Sequence, residues 1–285
     1  MARIRFAISC LEKQLGGQAR SCPFCGSRET VFLERKHLLL ELRRCPKCDL
    51  QFRWPKDTLS DNDGFYQNMY EEGAVTALPA SETIALLRKT NFGGSPMDFS
   101  DRITILESLL PSGKVLDYGS SWGYAVYQLI RAGYDAIGWE LSRPRAEFGR
   151  KMLEVPVEAD WSAIERRAPF DGILSSHVLE HLPSPRLAFD AFFRLLGPGG
   201  WVLILVPNGG GKNARELGVR WGPTIGEKHC SALTASFFAK NLVTFGFEPP
   251  RFASRFGREA VSMLPWDDDL RKLEGDELLI AARRR

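Results

Sequence analysis

From Lys114 onward the sequence alternates strand-like and helix-like stretches, and this alternation limits the fold more than any other feature of the chain. "KVLDYG" reads as a strand and leads into "YAVYQLIRAG", a helical pattern stopped at Gly133. "DAIGWEL" and "RPRAEFGRKML" repeat the pair. "VPVEAD" and "FDGILSSH" read as a third and a fourth strand, "LAFDAFFRLL" as a helix ended by "GPGG", and "WVLILVPN" as a fifth strand. Strands and helices alternating at this interval imply a parallel sheet covered on both faces. Such sheets bind ligands beyond the carboxyl ends of their strands, where strand order reverses. The loop after the first strand, "VLDYGSSWGY", carries Gly119, Ser121 and Gly123 at every second position. That is not the G-x-G-x-x-G spacing of a dinucleotide site, so a pyrophosphate is not the expected ligand.

A different signal governs the front of the chain. "CPFCG" and "CPKCD" place Cys22, Cys25, Cys45 and Cys48 in two C-x₂-C pairs with 19 residues between them, the spacing of a zinc site. Pro23 and Pro46 pre-set a tight turn after each first cysteine, so both thiolates of a pair face one metal. "TVFLERKHLLLELRRC" between the pairs reads as the hairpin of a zinc ribbon. Two disulfides are the competing reading, which a reducing cytosol disfavours. Four cysteines close a tetrahedral site, so the zinc is expected to be structural. His37 is expected at the surface, and Cys10 and Cys230 as free thiols.

Composition excludes little else. The apolar fraction of 44% and charged fraction of 26% are those of a globular protein. The longest apolar runs are strand-length, and "MARIRFAISCLEKQ" charges too quickly for a secretory signal, so a cytoplasmic protein without a membrane span is expected. Residues 1–56 hold 12 Lys+Arg against 5 Asp+Glu, a net of +7, and the rest of the chain carries −4. A basic front end leaves nucleic acid open as a partner. The expected organisation is a ribbon domain over 1–56, a connecting segment over 57–99 and an α/β domain over 100–285. The segment is polar and turn-rich at first, with a helical pattern at "SETIALLRKTN"; a second helical pattern, "SDRITILESLL", opens the α/β part. Ser100 is the expected N-cap of the second, and Ile103, Leu106, Leu109 and Leu110 its apolar stripe.

These residues carry a family resemblance. "VLDYGSSWGY" resembles the first motif of class I S-adenosylmethionine-dependent methyltransferases, an acidic residue followed by G-x-G-x-G. Here the acid is Asp117, the outer glycines are Gly119 and Gly123, and Ser121 replaces the middle one. Glu140 follows Gly123 by 17 residues, at the end of the second strand, as in that family. "EADW" resembles the adenine-contacting motif, "FDGILSSHVLEHL" the fourth-strand motif and "LLGPGGWVLILVPN" the turn and fifth strand. "FGFEPPRFASRFG" and "DELLIAARR" look like the closing strand pair. The resemblance covers about residues 100–285. It implies an α/β fold with a Rossmann-like seven-stranded sheet, mostly parallel with an antiparallel last strand, preceded by the small zinc ribbon.

It also implies S-adenosylmethionine as cofactor, a cation with a ribose diol and no phosphate. Asp117 is expected near its ammonium, Glu140 on both ribose hydroxyls, Asp160 on the adenine amino group and Trp161 over the ring. Tyr118, Gly119, Ser121, Gly123, Leu141, Ser176 and His177 complete the expected cofactor site. Ser121 replaces glycine without cost only if its φ is negative. The competing readings are another nucleotide-binding α/β domain, or one that has lost its cofactor.

Methyl transfer needs alignment first and proton removal second. His177 and His181 flank Glu180 just past strand four, where the transferred methyl is expected, and His229 lies farther on. Many relatives have glutamate where this chain has His177, and some with E-x-x-E-H bind a divalent metal. His177, Glu180, His181 and His229 are thus open to three readings: a metal site, local packing and pairing, or a site with His181 or His229 as base. Glu180, His181 and His229 are the expected catalytic set. "NGGGKNARELGVRWGPTIGEKHCSALTASFF" is expected to cover the acceptor pocket, with Arg220 and Trp221 lining it or resting on the surface. Tyr66 and Tyr70 resemble a tyrosine-containing segment that approaches the cofactor in ribbon-bearing relatives.

The leading expectation is a methyltransferase for a small molecule or glycan precursor. One alternative is a ribosomal RNA methyltransferase whose ribbon binds phosphate through Arg35, Lys36, Arg43 and Arg44. Against it, no base-stacking aromatic motif and no N-P-P-F/Y motif is present. A non-catalytic, cofactor-sensing ribbon protein is the third reading. Acceptor, methylated atom and oligomeric state are not legible.

Overall fold

A computed structural model of the chain describes residues 2–68, 77–254 and 269–285. It opens with α1 (Ala2–Leu15), which the sequence reading did not assign, followed by β1 (Val31–Lys36), β2 (Leu40–Arg44) and β3 (Gln51–Trp54). The hairpin expected between the cysteine pairs is β1 and β2, antiparallel, with β3 added to β2. α2 (Leu59–Asn68) and α3 (Ser81–Lys89) fall in the connecting segment. Tyr66 is on α2, and Tyr70 lies outside the described residues. α4 (Ser100–Leu109) begins at Ser100, but its N-cap is Phe99, not Ser100. The Asp98 carboxylate accepts from the Ser100 N–H at 3.0 Å, so the capping acceptor stands two residues upstream.

The α/β part then follows as β4 (Lys114–Tyr118), α5 (Tyr124–Arg131), β5 (Asp135–Trp139), α6 (Arg143–Phe148), β6 (Val157–Glu158), α7 (Trp161–Arg167), β7 (Phe170–Ser176), α8 (Arg186–Leu195), β8 (Leu196–Pro207), α9 (Lys212–Leu217), β9 (Ser231–Ala232), α10 (Ala235–Asn241), β10 (Arg251–Ala253) and β11 (Glu277–Arg283). Seven of these strands form one sheet in the order β10-β11-β8-β7-β4-β5-β6. Pairing is parallel from β6 to β8, and β11 runs antiparallel to both neighbours. The expected seven-stranded, mostly parallel sheet is therefore present.

Chemistry follows from that order. The chain leaves β4 for β5 and β6 on one side, then crosses back to β7 and β8 on the other. The reversal opens a crevice beyond the carboxyl ends of β4 and β7. Both faces of the sheet are covered, which is why Val202 to Val206 is an unbroken buried apolar run rather than an alternating one. α8 turns Ala188, Phe189, Ala191, Phe192 and Leu195 to one face, a helical period that matches the sheet.

The ribbon is not a free-standing appendage. β9, which follows the 209–230 connection, pairs with β3 and becomes the fourth strand of the ribbon sheet. Phe24, between the first two cysteines, stands edge-on to Phe189 and Phe237 at centroid distances of 5.5 and 5.1 Å. Phe24, Leu50 and Phe52 belong to the same apolar cluster as Leu116 and Ile204 of the large sheet. α1 covers the ribbon with Phe6 and Cys10, against Leu40, Leu42, Val219 and Ile225. Among the described residues no helix is long and apolar enough to cross a membrane.

Candidate functional site

A cavity of about 320 Å³ lies at the strand-order reversal. Gly119, Ser121, Glu140, Leu141, Ser176, His177 and His181 line it, seven of the residues singled out from the sequence. Trp139, Phe99, Arg102, Tyr124 and Glu277 also line it and were missed. Asp117, Tyr118, Gly123 and Glu180 sit behind the wall, and Asp160, Trp161 and His229 are also off it.

The backbone of the glycine loop explains its composition. Gly119 has φ +85°, and a Cβ there would stand 2.3 Å from Cγ2 of Val178. Gly123 caps α5 with φ +81°, and a Cβ would meet Val155 and Val157 at 2.8 Å. Both positions exclude a side chain by strain and by space. Ser121 departs from expectation: its φ is +50°, left-handed and not negative. An L-residue there costs about 1–2 kcal/mol. The serine is held in place because its N–H donates to Oε2 of Glu140 at 2.9 Å, while Arg145 donates to its Oγ at 3.4 Å. His177, at the other lip of the crevice, is likewise left-handed with φ +55°. Strained non-glycine residues on both sides of one cavity are the pattern of a functional site.

Glu140 is buried and anchored from two sides, with the Ser142 N–H donating to its Oε1 at 2.8 Å. Each carboxylate oxygen keeps a further lone pair. Burial raises its pKa, opposed by the Ser142 and Ser121 N–H groups and by Arg145. Asp117 is buried too, and its Oδ2 has no hydrogen-bond partner. Burial, with Glu140 nearby, pushes it up to about 8. A buried carboxyl lacking a partner is expensive unless a cation or donor arrives. Asp160 sits elsewhere in character: it is exposed and caps α7 through the Ser162 N–H and hydroxyl. Trp161 is partly buried and edge-on to Tyr118 and Trp139 at 6.2 and 4.9 Å.

The third group is a chain of acids and imidazoles. His177 Nε2 is 3.0 Å from Oε1 of Glu277, and its Nδ1 is 3.4 Å from Oε1 of Glu180. Burial works against a charged ring, but those two carboxylates outweigh it and raise His177 to about 9. His177 is thus an imidazolium at neutral pH. Glu180 is buried beneath three histidines; burial pushes its pKa up, but the facing imidazoles, the charged His177 among them, bring it below the usual carboxylate range. His181 Nε2 is 3.7 Å from Glu180, and burial drops that ring to about 4, so it is neutral. The Nδ1 atoms of His181 and His229 lie 3.0 and 2.7 Å from the carbonyls of Lys228 and Pro223. A carbonyl only accepts, so each Nδ1 carries the proton and each Nε2 presents a lone pair. The two rings stand edge to face at 4.7 Å. Donor atoms of Glu180, His181 and His229 all fall within 4.8 Å of one another.

The 209–230 connection brings His229 there, and the ribbon fixes its end. The Arg53 side chain donates to the carbonyls of Gly226 and Glu227 at 2.5 and 3.1 Å, and its N–H to that of Cys230 at 2.8 Å. Arg220 and Trp221 do not line the cavity; Arg220 is exposed. In the ribbon itself, Sγ of Cys22 lies 3.4 Å from Cys48, and that of Cys25 3.5 Å from Cys45, all four within 4.8 Å. Four sulfurs about 2.3 Å from one tetrahedral ion stand roughly 3.8 Å apart, so the set matches zinc. The two knuckles repeat each other. Gly26 and Asp49 each follow a pair with φ +74° and +66°, and each donates to the first cysteine's carbonyl at 3.0 and 2.8 Å. His37 is exposed, and Cys10 and Cys230 are buried free thiols.

Comparisons with known proteins found relatives of this chain. A family described as "Methyltransferase domain" matches residues 96–249, more than half of the chain. An enzyme named ubiquinone biosynthesis O-methyltransferase from Xylella fastidiosa is 33% identical over 107 residues, 35% of this chain and 44% of its own. Its namesake from Bordetella avium is 29% identical over 111 residues, covering 36% and 46%. The chain thus spans about half the length of the curated relatives it matches. Among solved structures, a possible histamine N-methyltransferase from Thermotoga maritima aligns with a TM-score of 0.48 at 16% identity, over 72% of this chain and 96% of that one. The family match spans the glycine loop, Glu140 and the histidine cluster, and with the strand order it assigns the chain to the class I methyltransferase family.

Proposed function

We propose that the protein transfers a methyl group from S-adenosylmethionine to a small molecule, with sugars of glycan precursors within that class. The observation that carries the reading is the pair of buried carboxylates, Asp117 and Glu140, at the strand-order reversal, one lacking a partner and the other with lone pairs to spare. Glu140 would accept the ribose diol, and Asp117 would face the ammonium side. Arg102, which lines the cavity with a buried, unpartnered Nε, suits the amino-acid carboxylate. Trp139 and Trp161 offer apolar faces for the adenine. Asp160, an exposed helix cap, is placed for the adenine amino group only if it also keeps the Ser162 N–H. The cofactor supplies an electrophilic methyl group on a sulfonium.

The remaining side chains position the acceptor and take its proton. His229 or His181, each with Nε2 free of the ring proton, is the base. Glu180 sits where it stabilises the imidazolium that forms. His177, held charged, orients Glu180 and Glu277 and is not the base. The same three donors, Glu180, His181 and His229, are close enough for a divalent cation, so an assay with and without a chelator separates the two roles.

The four ribbon cysteines hold a structural zinc ion in this reading. The ribbon's basic residues are engaged internally, which favours a small acceptor over RNA. Arg43 and Arg35 pair with Glu41, Arg44 with Asp49, and Lys36 donates to the Ile225 carbonyl at 2.6 Å. Incubation with methyl-labelled S-adenosylmethionine and separate pools of metabolites and RNA is the test. Label in the metabolite pool is expected; label confined to RNA contradicts the acceptor, and label in neither supports the sensor reading.

A further inference from the structure

α1 has two apolar faces, and the fold uses one. Phe6 and Cys10 turn inward onto the ribbon, and Lys13 bridges to Asp57 and Asp61 at 3.0 Å. On the opposite side Ile4, Ile8, Leu11 and Leu15 are 65%, 50%, 45% and 88% exposed. Their spacing of 4, 3 and 4 is that of a coiled-coil seam. Four large aliphatic side chains in one exposed row exceed the scattered exposure expected of a soluble surface.

We propose that this stripe is a homodimer contact, formed by α1 packing antiparallel against α1 of a second copy. Three observations select that occupant. First, the 4-3-4 spacing reads the same in both directions, so an antiparallel copy sets Ile4 on Leu15 and Ile8 on Leu11 about a two-fold axis, as an isologous contact requires. Second, the flank is charge-complementary. Arg5 and Glu12 lie on the same edge of the stripe, both exposed. Antiparallel pairing brings Arg5 of each copy to Glu12 of the other, once at each end. Third, the edge opposite those charges carries Ala7 and Gln14, small or neutral residues that do not oppose close approach. A single helix pair of 14 residues is near the roughly 1,000 Å² that a specific interface needs, so the dimer is weak and concentration-dependent.

Sedimentation velocity on the full chain over a micromolar concentration series tests this. The mass should rise from 32.0 kDa toward twice that value. Ile8→Glu with Leu11→Glu, both on exposed positions, should remain monomeric throughout while keeping the wild-type melting temperature. Arg5→Glu should weaken association about tenfold by placing like charges together at both ends, and Arg5→Glu with Glu12→Arg should restore it. A parallel pairing does not juxtapose these residues and shows no such rescue. Wild type that stays monomeric, a dimer indifferent to the stripe variants, or charge reversal without rescue overturns the proposal. So does monomeric protein that instead co-sediments with anionic phospholipid vesicles through the stripe. None of these outcomes depends on the cofactor or acceptor.

Discussion

Asp117 and Glu140 are two acids with different tasks, and their environments separate them. Glu140 is tied to backbone N–H groups, whereas Asp117 is buried without a partner and titrates near 8. Its folded value lies above the unfolded carboxylate range near 4, so the ligand-free protein loses stability on its account as pH rises between the two. An ammonium group placed beside Asp117 needs the ionised form. Binding of S-adenosylhomocysteine should therefore release a proton below pH 8 and tighten as pH rises toward it. Calorimetry in buffers of different ionisation enthalpy checks this, and pH-independent binding without proton release contradicts it. His229→Gln should lower turnover by about 100-fold or more while leaving S-adenosylhomocysteine affinity within a few-fold, because the ring serves proton removal and not cofactor binding. The acids, the glycines and the histidine pair were legible because each sits at a fixed offset from a strand end. Glu277, 100 residues from His177, and Arg102, on the helix before β4, had no such offset. Only the closing strand and α4 bring them to the cavity.

Among the elements, the glycine loop and the ribbon each make one demand. Gly119→Ala should fail to bind cofactor and should melt lower, since a methyl group would sit 2.3 Å from Val178 in a backbone region alanine avoids. Gly222, where a Cβ meets nothing within 4 Å, is the control position for the same substitution. In the ribbon, loss of the zinc proposed for the four cysteines should act on the crevice. β3 hydrogen-bonds β9, and Arg53 holds the carbonyls just before His229. Cys48→Ser should lose stoichiometric zinc by elemental analysis and accelerate proteolytic cleavage between residues 209 and 230. Unchanged cleavage with zinc lost would show that the ribbon leaves this connection alone. The cysteine spacing disclosed the four-sulfur cluster and the hairpin between its pairs. It could not disclose β9, a two-residue strand whose pairing depends on where the 209–230 connection lands, nor the left-handed Ser121, whose conformation depends on Glu140, 19 residues farther along the chain, being already in place.

For the whole molecule, the ribbon and the α/β part share one apolar cluster, with Phe24 wedged among the phenylalanines of α8 and α10. Phe24→Ala should cost about 3 kcal/mol and lower a single cooperative melting transition, rather than unfolding the ribbon alone. Two separated transitions would mean that the two parts fold independently. The parallel sheet covered on both faces was legible because strands alternating with helices at short intervals imply crossover connections; its strand order was not. The burial of α1's inner face against the ribbon was not, since a helix of mixed pattern at a chain end gives no partner away. S-adenosylmethionine in the crevice beyond β4 and β7 would depend above all on Glu140. Titration of S-adenosylhomocysteine into wild type and Glu140→Gln by calorimetry is the decisive experiment. Wild type should show one site per chain and the variant an affinity about 100-fold weaker, with the fold retained. Absence of binding to wild type, or equal affinity in both, would contradict that role for Glu140.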